Sequence, residues 1–219
     1  MESTLSFLKK LKKNNNKAWF DENRKMYDAA KKEVEALVVE LVEQFGKVDA
    51  TIAHLTPKEC LFRINRDVRF SKDKSPYKTN FGIAITSGGK KSPLAGYYLH
   101  LEPDASFVGG GLWMPGPPVL SAVRQEIDYN FKDFQGILKS AGFKKQYGEL
   151  YKGDDVSLSR VPKGYEADNP AAEYLKLKSY LAMRKLDDDE VLSGKLVKTA
   201  GDAFKALKPL VDFLNQAQN

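Results

Sequence analysis

Residues 59–113 alternate apolar and polar side chains where the flanking sequence repeats at helical spacing, and this change of period limits the fold most. In "CLFRINRDVRF", Phe62, Ile64, Val68 and Phe70 fall on one face of an extended chain, with Arg63, Asn65, Asp67 and Arg69 on the other. Arg66 breaks the rule, a cation among apolar neighbours. "FGIAIT", "GYYLHLE" and "SFVGGGLW" follow, separated by the turn "SGGKKS" and by Pro103-Asp104. Four such runs with short connections predict an antiparallel meander.

Helical spacing surrounds this block. Leu5, Leu8 and Leu11 form an amphipathic turn that Ser3 or Thr4 can cap and that Asn14, Asn15 and Asn16 end. A second helix is expected from near Trp19, with Tyr27, Ala30, Val34, Leu37, Leu41 and Phe45 on one stripe and Gly46 at its stop. Pro117 and Pro118 open another, before Val119, Leu120, Val123 and Ile127. "GELYKGDDVSLSRVP" has the look of a short hairpin, and Asn169-Pro170 of a cap and first turn. Leu196, Ala200, Phe204, Leu207, Val211 and Leu214 predict a last helix, kinked at Pro209. The expectation is one α+β domain over residues 1–219, helices before and after a central antiparallel sheet.

Several stretches are familiar in this order: "NNNKAWFDENRKMY", "FRINRDVRFSKDKSPYKTN", "GYYLHLEP", "GGGLWMP", "LSRVPKGYEADNP" and "LKLKSYLAMRKL". Together they span most of the chain, which resembles the DUF2461 family of bacterial and fungal proteins. The resemblance brings no established activity with it, so function has to be argued from the residues.

Cys60 is the only cysteine, which rules out an internal disulfide and a cysteine zinc cage. Set in a Leu-flanked run, it reads as a buried structural thiol. No stretch has signal-peptide or membrane-span character, so the expected compartment is the cytoplasm and no membrane partner is expected. A formal charge of +6 favours anionic partners. Most of that excess is local: residues 63–78 hold Arg63, Arg66, Arg69, Lys72, Lys74 and Lys78 against Asp67 and Asp73. On a strand Arg63 and Arg69 would stand roughly 20 Å apart, too far to share one phosphate. Arg69 can instead join Lys72, Lys74 and Lys78 if the loop folds over it, with Tyr77 adding a ring and a hydroxyl. The plainer alternative is a hairpin loop with solvated lysines and arginines paired to Asp67 and Asp73.

His100 and Glu102 share a strand face beside Tyr98, a spacing suited to proton transfer, with Asp67 a third candidate. One histidine and one carboxylate are too few to predict a metal site, and no motif names a cofactor. Trp19 and Phe20 read as aromatic staples into the core, or as a stacking platform with Arg24. Trp113, after three glycines, is a candidate ligand wall. "SGGKKS" lacks the upstream glycine and hydroxyl residue of a phosphate-binding loop, and "GGGLWMPG" opens no βα unit. The run at 187–190 reads as a helix N-cap. Three functional classes follow: a binder of a small phosphate- or carboxylate-bearing ligand, acting on it or not; a nucleic-acid module using the same cations; and an interaction protein without a reaction.

Overall fold

The structure is a computed structural model in which residues 1–218 are described. Those residues form α1 (Glu2–Lys13), α2 (Lys17–Glu22), α3 (Arg24–Phe45), α4 (Pro57–Cys60), β1 (Phe81–Ile85), β2 (Gly96–Leu101), β3 (Phe107–Leu112), α5 (Pro117–Tyr129), α6 (Phe131–Lys139), α7 (Ala141–Tyr147), α8 (Ala172–Leu175), β4 (Tyr180–Lys185), α9 (Asp188–Leu192) and α10 (Leu196–Gln216). The sheet is antiparallel in the order β1-β2-β3-β4, so the fold class is α+β. Two compact units are distinguished, both discontinuous in sequence. One holds Met1–Lys91, Tyr98–Val108 and Lys185–Asp202, the other Ser92–Tyr97, Gly109–Arg184 and Ala203–Asn219.

In the first unit, α1 packs on α3. Leu5, Phe7, Leu8 and Leu11 are buried on one, and Ala30, Val34, Leu37, Val38 and Leu41 on the other. Helix α1 begins at Glu2, and Thr4 is buried within it, donating its hydroxyl to Glu33 at 2.6 Å. The asparagine run both ends α1 and starts α2, since Asn16 accepts from the Trp19 N–H at 3.0 Å. Asn23 then separates α2 from α3, so the helix predicted from Trp19 onward is two. At 187–190 the predicted cap is present as a reciprocal pair between Asp187 and Glu190.

The first predicted strand is absent. Between α4 and β1 the chain makes only isolated antiparallel bridges, Leu61 with Ile83 and Asn65 with Tyr77. Three residues lie between them on one side and five on the other, so no regular ladder propagates, and Pro76 has no N–H to offer it. The alternation of side chains fails with the ladder: Ile64 is buried, while Phe62 is 37% and Phe70 96% exposed. The 20 Å strand spacing of Arg63 and Arg69 lapses as well. The remaining three runs are β1, β2 and β3, in meander order as predicted.

The fourth strand is β4, which pairs with β3 from far along the chain. Glycines make that pairing close. A Cβ on Gly109 would lie 2.1 Å from the Ala182 carbonyl oxygen and one on Gly111 2.0 Å from that of Tyr180. A Cβ on Gly110 would lie 2.1 Å from the Gly96 oxygen, and Gly110 and Gly111 have φ of +152° and +118°. These glycines therefore serve the approach of neighbouring strands. The stretch read as a hairpin instead forms a 3₁₀ turn at Asp154–Val156, with Tyr151 N–H donating to Leu181 O at 2.7 Å and Ser157 bridged to Leu177. Asn169 accepts from the Ala171 N–H at 2.7 Å, capping a turn just ahead of α8. Helix α10 runs through Pro209, and Tyr97 and Phe204 pack with centroids 5.2 Å apart.

Candidate functional site

Half of the six cations between 63 and 78 are engaged within their own loop. Arg66 is half-buried and, as its place among apolar residues required, finds acceptors. It pairs with Asp73 and donates to Ser75 O at 3.2 Å and Ser71 Oγ at 3.3 Å. Ser75 and then Arg66 hold the Asp73 carboxyl down to about 2. Arg69 grips Asp67 with both arms of its fork, Nε at 2.9 Å and Nη2 at 2.6 Å, which holds Asp67 below the usual carboxylate range. Lys74 donates to Val68 O at 3.0 Å and lies 3.5 Å from Arg69 O. Lys72 stands exposed on the loop. Phe70 projects at its tip, with the Arg69 guanidinium 5.8 Å from the ring centroid.

The foot of the loop is a core anchor. Tyr77 is buried and stacks on Phe20 at 4.0 Å, with planes 15° apart. Asn15 clamps its backbone, accepting from the Tyr77 N–H at 3.1 Å and donating to its carbonyl at 2.9 Å. Phe20 is thus a staple into the core, with Arg24 over its ring at 5.7 Å. This linkage of "NNNKAWF" to "SPYK" has no signature in either segment.

Beyond Tyr77 the chain reaches the face of the sheet. Tyr98 and His100 on β2 and Glu102 just past its end alternate, as their spacing predicts, and form a directed row. Thr79 Oγ1 donates to Glu102 Oε1 at 2.8 Å, His100 Nε2 lies 3.1 Å from Glu102 Oε2, and Tyr98 Oη lies 3.4 Å from His100 Nδ1. A proton on Nε2 satisfies Glu102 and leaves Nδ1 to accept from the phenol. Phe107 stacks beneath the imidazole at 4.7 Å, fixing its plane. Burial raises the pKa of Tyr98, keeping it a phenol. Gly82 makes room for that hydroxyl, since a Cβ there would lie 2.5 Å from Tyr98 Oη and 3.3 Å from Phe62 Cδ2.

Phe62 connects this row to a cation. Lys78 Nζ stands 5.4 Å from the Phe62 ring centroid and, among the described residues, makes no ion pair and donates no side-chain hydrogen bond. Burial lowers its pKa, and the charge of Arg63 lowers it further. The charge of Arg63 also adds, after the bonds from Arg69, to the lowering of the Asp67 carboxyl. Of the residues singled out in the sequence, Tyr98, His100 and Glu102 form one row and Lys78 stands over the Phe62 ring beside it, while among the described residues no hydrogen bond or ion pair joins Arg63 or Asp67 to that row. Sequence reasoning missed Phe62, which looked like core, and Thr79 and Gly82, which carried no signal.

Trp113 belongs to the second unit, where it is 61% exposed beside Met114, whose N–H donates to the buried Ser179 hydroxyl at 2.8 Å. Cys60 is buried, and burial pushes its thiol up to about 11. Among the described residues no group of three His, Cys, Asp or Glu side chains is placed to hold a metal ion. No helix among them is long and apolar enough to cross a membrane. No curated protein and no solved structure matches the chain. Residues 3–213 match the family described as a conserved hypothetical protein, DUF2461. That match takes in nearly every residue discussed above, and the chain belongs to the DUF2461 family.

Proposed function

We propose that the chain binds a small anionic ligand, bearing a phosphate or a carboxylate, at Arg63 and Lys78, beside the Tyr98–His100–Glu102 row. One observation carries the reading: Lys78 is half-buried and, beyond the Phe62 ring, has neither a carboxylate nor a hydrogen-bond acceptor for its side chain among the described residues. Taking an ammonium partly out of water costs free energy unless an anion or dipoles replace the water. Arg66, the other half-buried cation of residues 63–78, has such a partner in Asp73, so a ligand anion is the natural complement here. The neighbouring row supplies a route for proton transfer, with Tyr98 as donor, His100 Nδ1 as acceptor and Glu102 steadying an imidazolium. Asp67, close to Arg63, would set the charge balance of the rim.

Thermal shift with inorganic phosphate, citrate and adenosine monophosphate tests this reading, followed by titration of any hit. Arg63→Ala and Lys78→Ala should each lose a charge-assisted hydrogen bond, about 1.5–3 kcal/mol, or roughly tenfold to a hundredfold in affinity. Lys91→Ala removes the same charge from an exposed turn and should leave affinity unchanged. Equal weakening in all three variants would mean diffuse electrostatics and no site.

Phe70 supports a second reading, a single-stranded nucleic acid laid across the same loop. Its ring is 96% exposed, with Arg69 beside it, and an exposed aromatic flanked by cations can stack a base. Filter binding should then weaken with salt, by about −0.7 in log K per phosphate contacted, and Phe70→Ala should reduce it. No retention at low salt ends that reading.

A further inference from the structure

We propose that the exposed lysines ending α1 and the loop at 66–75 form one cationic track for a single-stranded nucleic acid, with a base stacked on Phe70. The proposal rests on the second reading above, a strand at Phe70, and gives that strand a path over a surface outside the loop. The two parts of the track belong to the first unit and are joined at a clasp. Asn15 accepts from the Tyr77 N–H at 3.1 Å and donates to the Tyr77 carbonyl at 2.9 Å, which pins the end of α1 to the foot of the loop. At about 3.8 Å per residue, the Cα atoms of Lys12 and Lys13 lie within about 11 Å of that of Asn15, and the Cα of Lys74 within about 11 Å of that of Tyr77.

Lys12, Lys13, Lys72 and Lys74 are all exposed, and none has a carboxylate partner among the described residues. Lys74 donates to the Val68 carbonyl at 3.0 Å, which fixes its position without neutralising its charge. Nearby carboxylates are occupied: Asp67 by Arg69 at 2.6 Å, Asp73 by Arg66 and Asp21 by Lys17. The loop itself is braced. Ser71 N–H donates to Val68 O at 3.3 Å, closing a turn, and Ser75 N–H to Asp73 Oδ1 at 2.9 Å. With the Lys74 bond, these contacts hold Phe70 at the tip, 96% exposed. The Arg69 guanidinium lies over that ring, 5.8 Å from its centroid, so a base can take the opposite face.

Three kinds of polyanion would meet this surface differently. A membrane is flat and would touch the tip alone, leaving the clasp up to about 23 Å of extended chain behind Phe70. A duplex keeps its bases stacked inside and would have to flip one out to reach the ring. A single strand can bend along loop and clasp, and each of its bases has a face to stack. Charge spread from tip to foot therefore fits the single strand.

The test is the salt dependence of binding. Fluorescein-labelled oligothymidylate is titrated with the full chain between about 50 and 200 mM salt and read by anisotropy. Lys12, Lys13, Lys72 and Lys74, one phosphate each, predict a slope of log K on log salt near −3, at about −0.7 per contact. Lys12→Gln with Lys13→Gln should bring the slope to about −1.4. Lys47→Gln with Lys91→Gln removes the same charge just past the far end of α3 and in the turn after β1, and should leave the slope near the parent's. Phe70→Ala should weaken binding about fivefold to a hundredfold at every salt concentration and leave the slope unchanged. These positions are exposed, and melting curves of the variants show that they fold. An α1 pair that keeps the parent slope while Phe70→Ala weakens binding would overturn the track and leave the strand at Phe70 standing. A control pair as damaging as the α1 pair, or a duplex bound as tightly as the single strand, would overturn the proposal. So would Phe70-dependent binding to phosphatidylserine vesicles by a chain that ignores the oligonucleotide. With no binding even at the lowest salt, the track and the strand at Phe70 both fall.

Discussion

Replacing Gly82 by alanine asks whether the phenol of Tyr98 sits where the row on β2 needs it. A Cβ at that position would be 2.5 Å from Tyr98 Oη, against 3.4 Å for ordinary contact, so the hydroxyl must retreat by about 1 Å. Its contact with His100 Nδ1 is already 3.4 Å, so a retreat away from the imidazole ends it. Crowding a packed position costs about 1–3 kcal/mol, and the lost hydrogen bond about 0.5–1.5 kcal/mol. Alanine returns about 0.5–1 kcal/mol of the backbone entropy that glycine loses on folding. The net is a loss of about 1–3 kcal/mol, or roughly 2–4 °C in Tm per kcal/mol for a chain of this size. Tyr98→Phe removes the oxygen in the way, so Gly82→Ala should cost less in that background. Urea unfolding of the parent, both single variants and the double variant measures the difference, expected at about 0.5–3 kcal/mol. An equal cost of Gly82→Ala in both backgrounds would refute the placement of the phenol.

Three further outcomes follow from groups already described. Because burial lowers the Lys78 pKa, the folded chain holds fewer protons than the unfolded one from that depressed value up to 10.5, and stability from this group rises with pH across that window. Lys78→Met removes the penalty, so it should melt above the parent at pH 7 by a margin that shrinks toward pH 10.5; a lower melting point contradicts this. Cys60, buried and pushed up to about 11, should resist a disulfide-exchange reagent at pH 8 until urea unfolds the chain, and prompt labelling would show an exposed thiol. Asp73 is held down to about 2, so its grip on the loop is present above the unfolded value of 3.8 and is lost as pH falls toward 2. The Ser75 amide proton, which donates to Asp73 Oδ1 at 2.9 Å, should shift on that acidification and in Asp73→Asn at neutral pH alike; a shift in only one would break the assignment.

Sequence pattern located what local periodicity can encode. Helices α1, α3 and α10 repeat apolar residues at helical spacing over several turns, and β1 to β3 alternate between recognisable turns. Residues 61–70 carried the same alternation without becoming a strand, because the mismatch between the Leu61 and Asn65 bridges lies in the partner segment. Strand β4 was overlooked since Ala182, Met183, Arg184 and Lys185 favour helix about as well, and only its distant partner β3 decides the matter. The site divides likewise. His100 and Glu102 were legible because alternate residues of an extended segment share a face. That Lys78 has no ion-pair or hydrogen-bond partner for its side chain among the described residues while Arg69 and Lys74 do depends on how the loop closes.

The glycines of β3 have a consequence for how the gene can change. A crowded core side chain can be accommodated by shrinking its neighbour, so most packed positions have a compensating second substitution. At Gly109, Gly110 and Gly111 the obstacle is the carbonyl oxygen of an adjoining strand, 2.0–2.1 Å from where a Cβ would stand. No substitution elsewhere makes a backbone oxygen smaller. A saturation library should therefore lose every variant at three adjacent codons, alanine as surely as tryptophan, and selection for second-site suppressors should return only revertants.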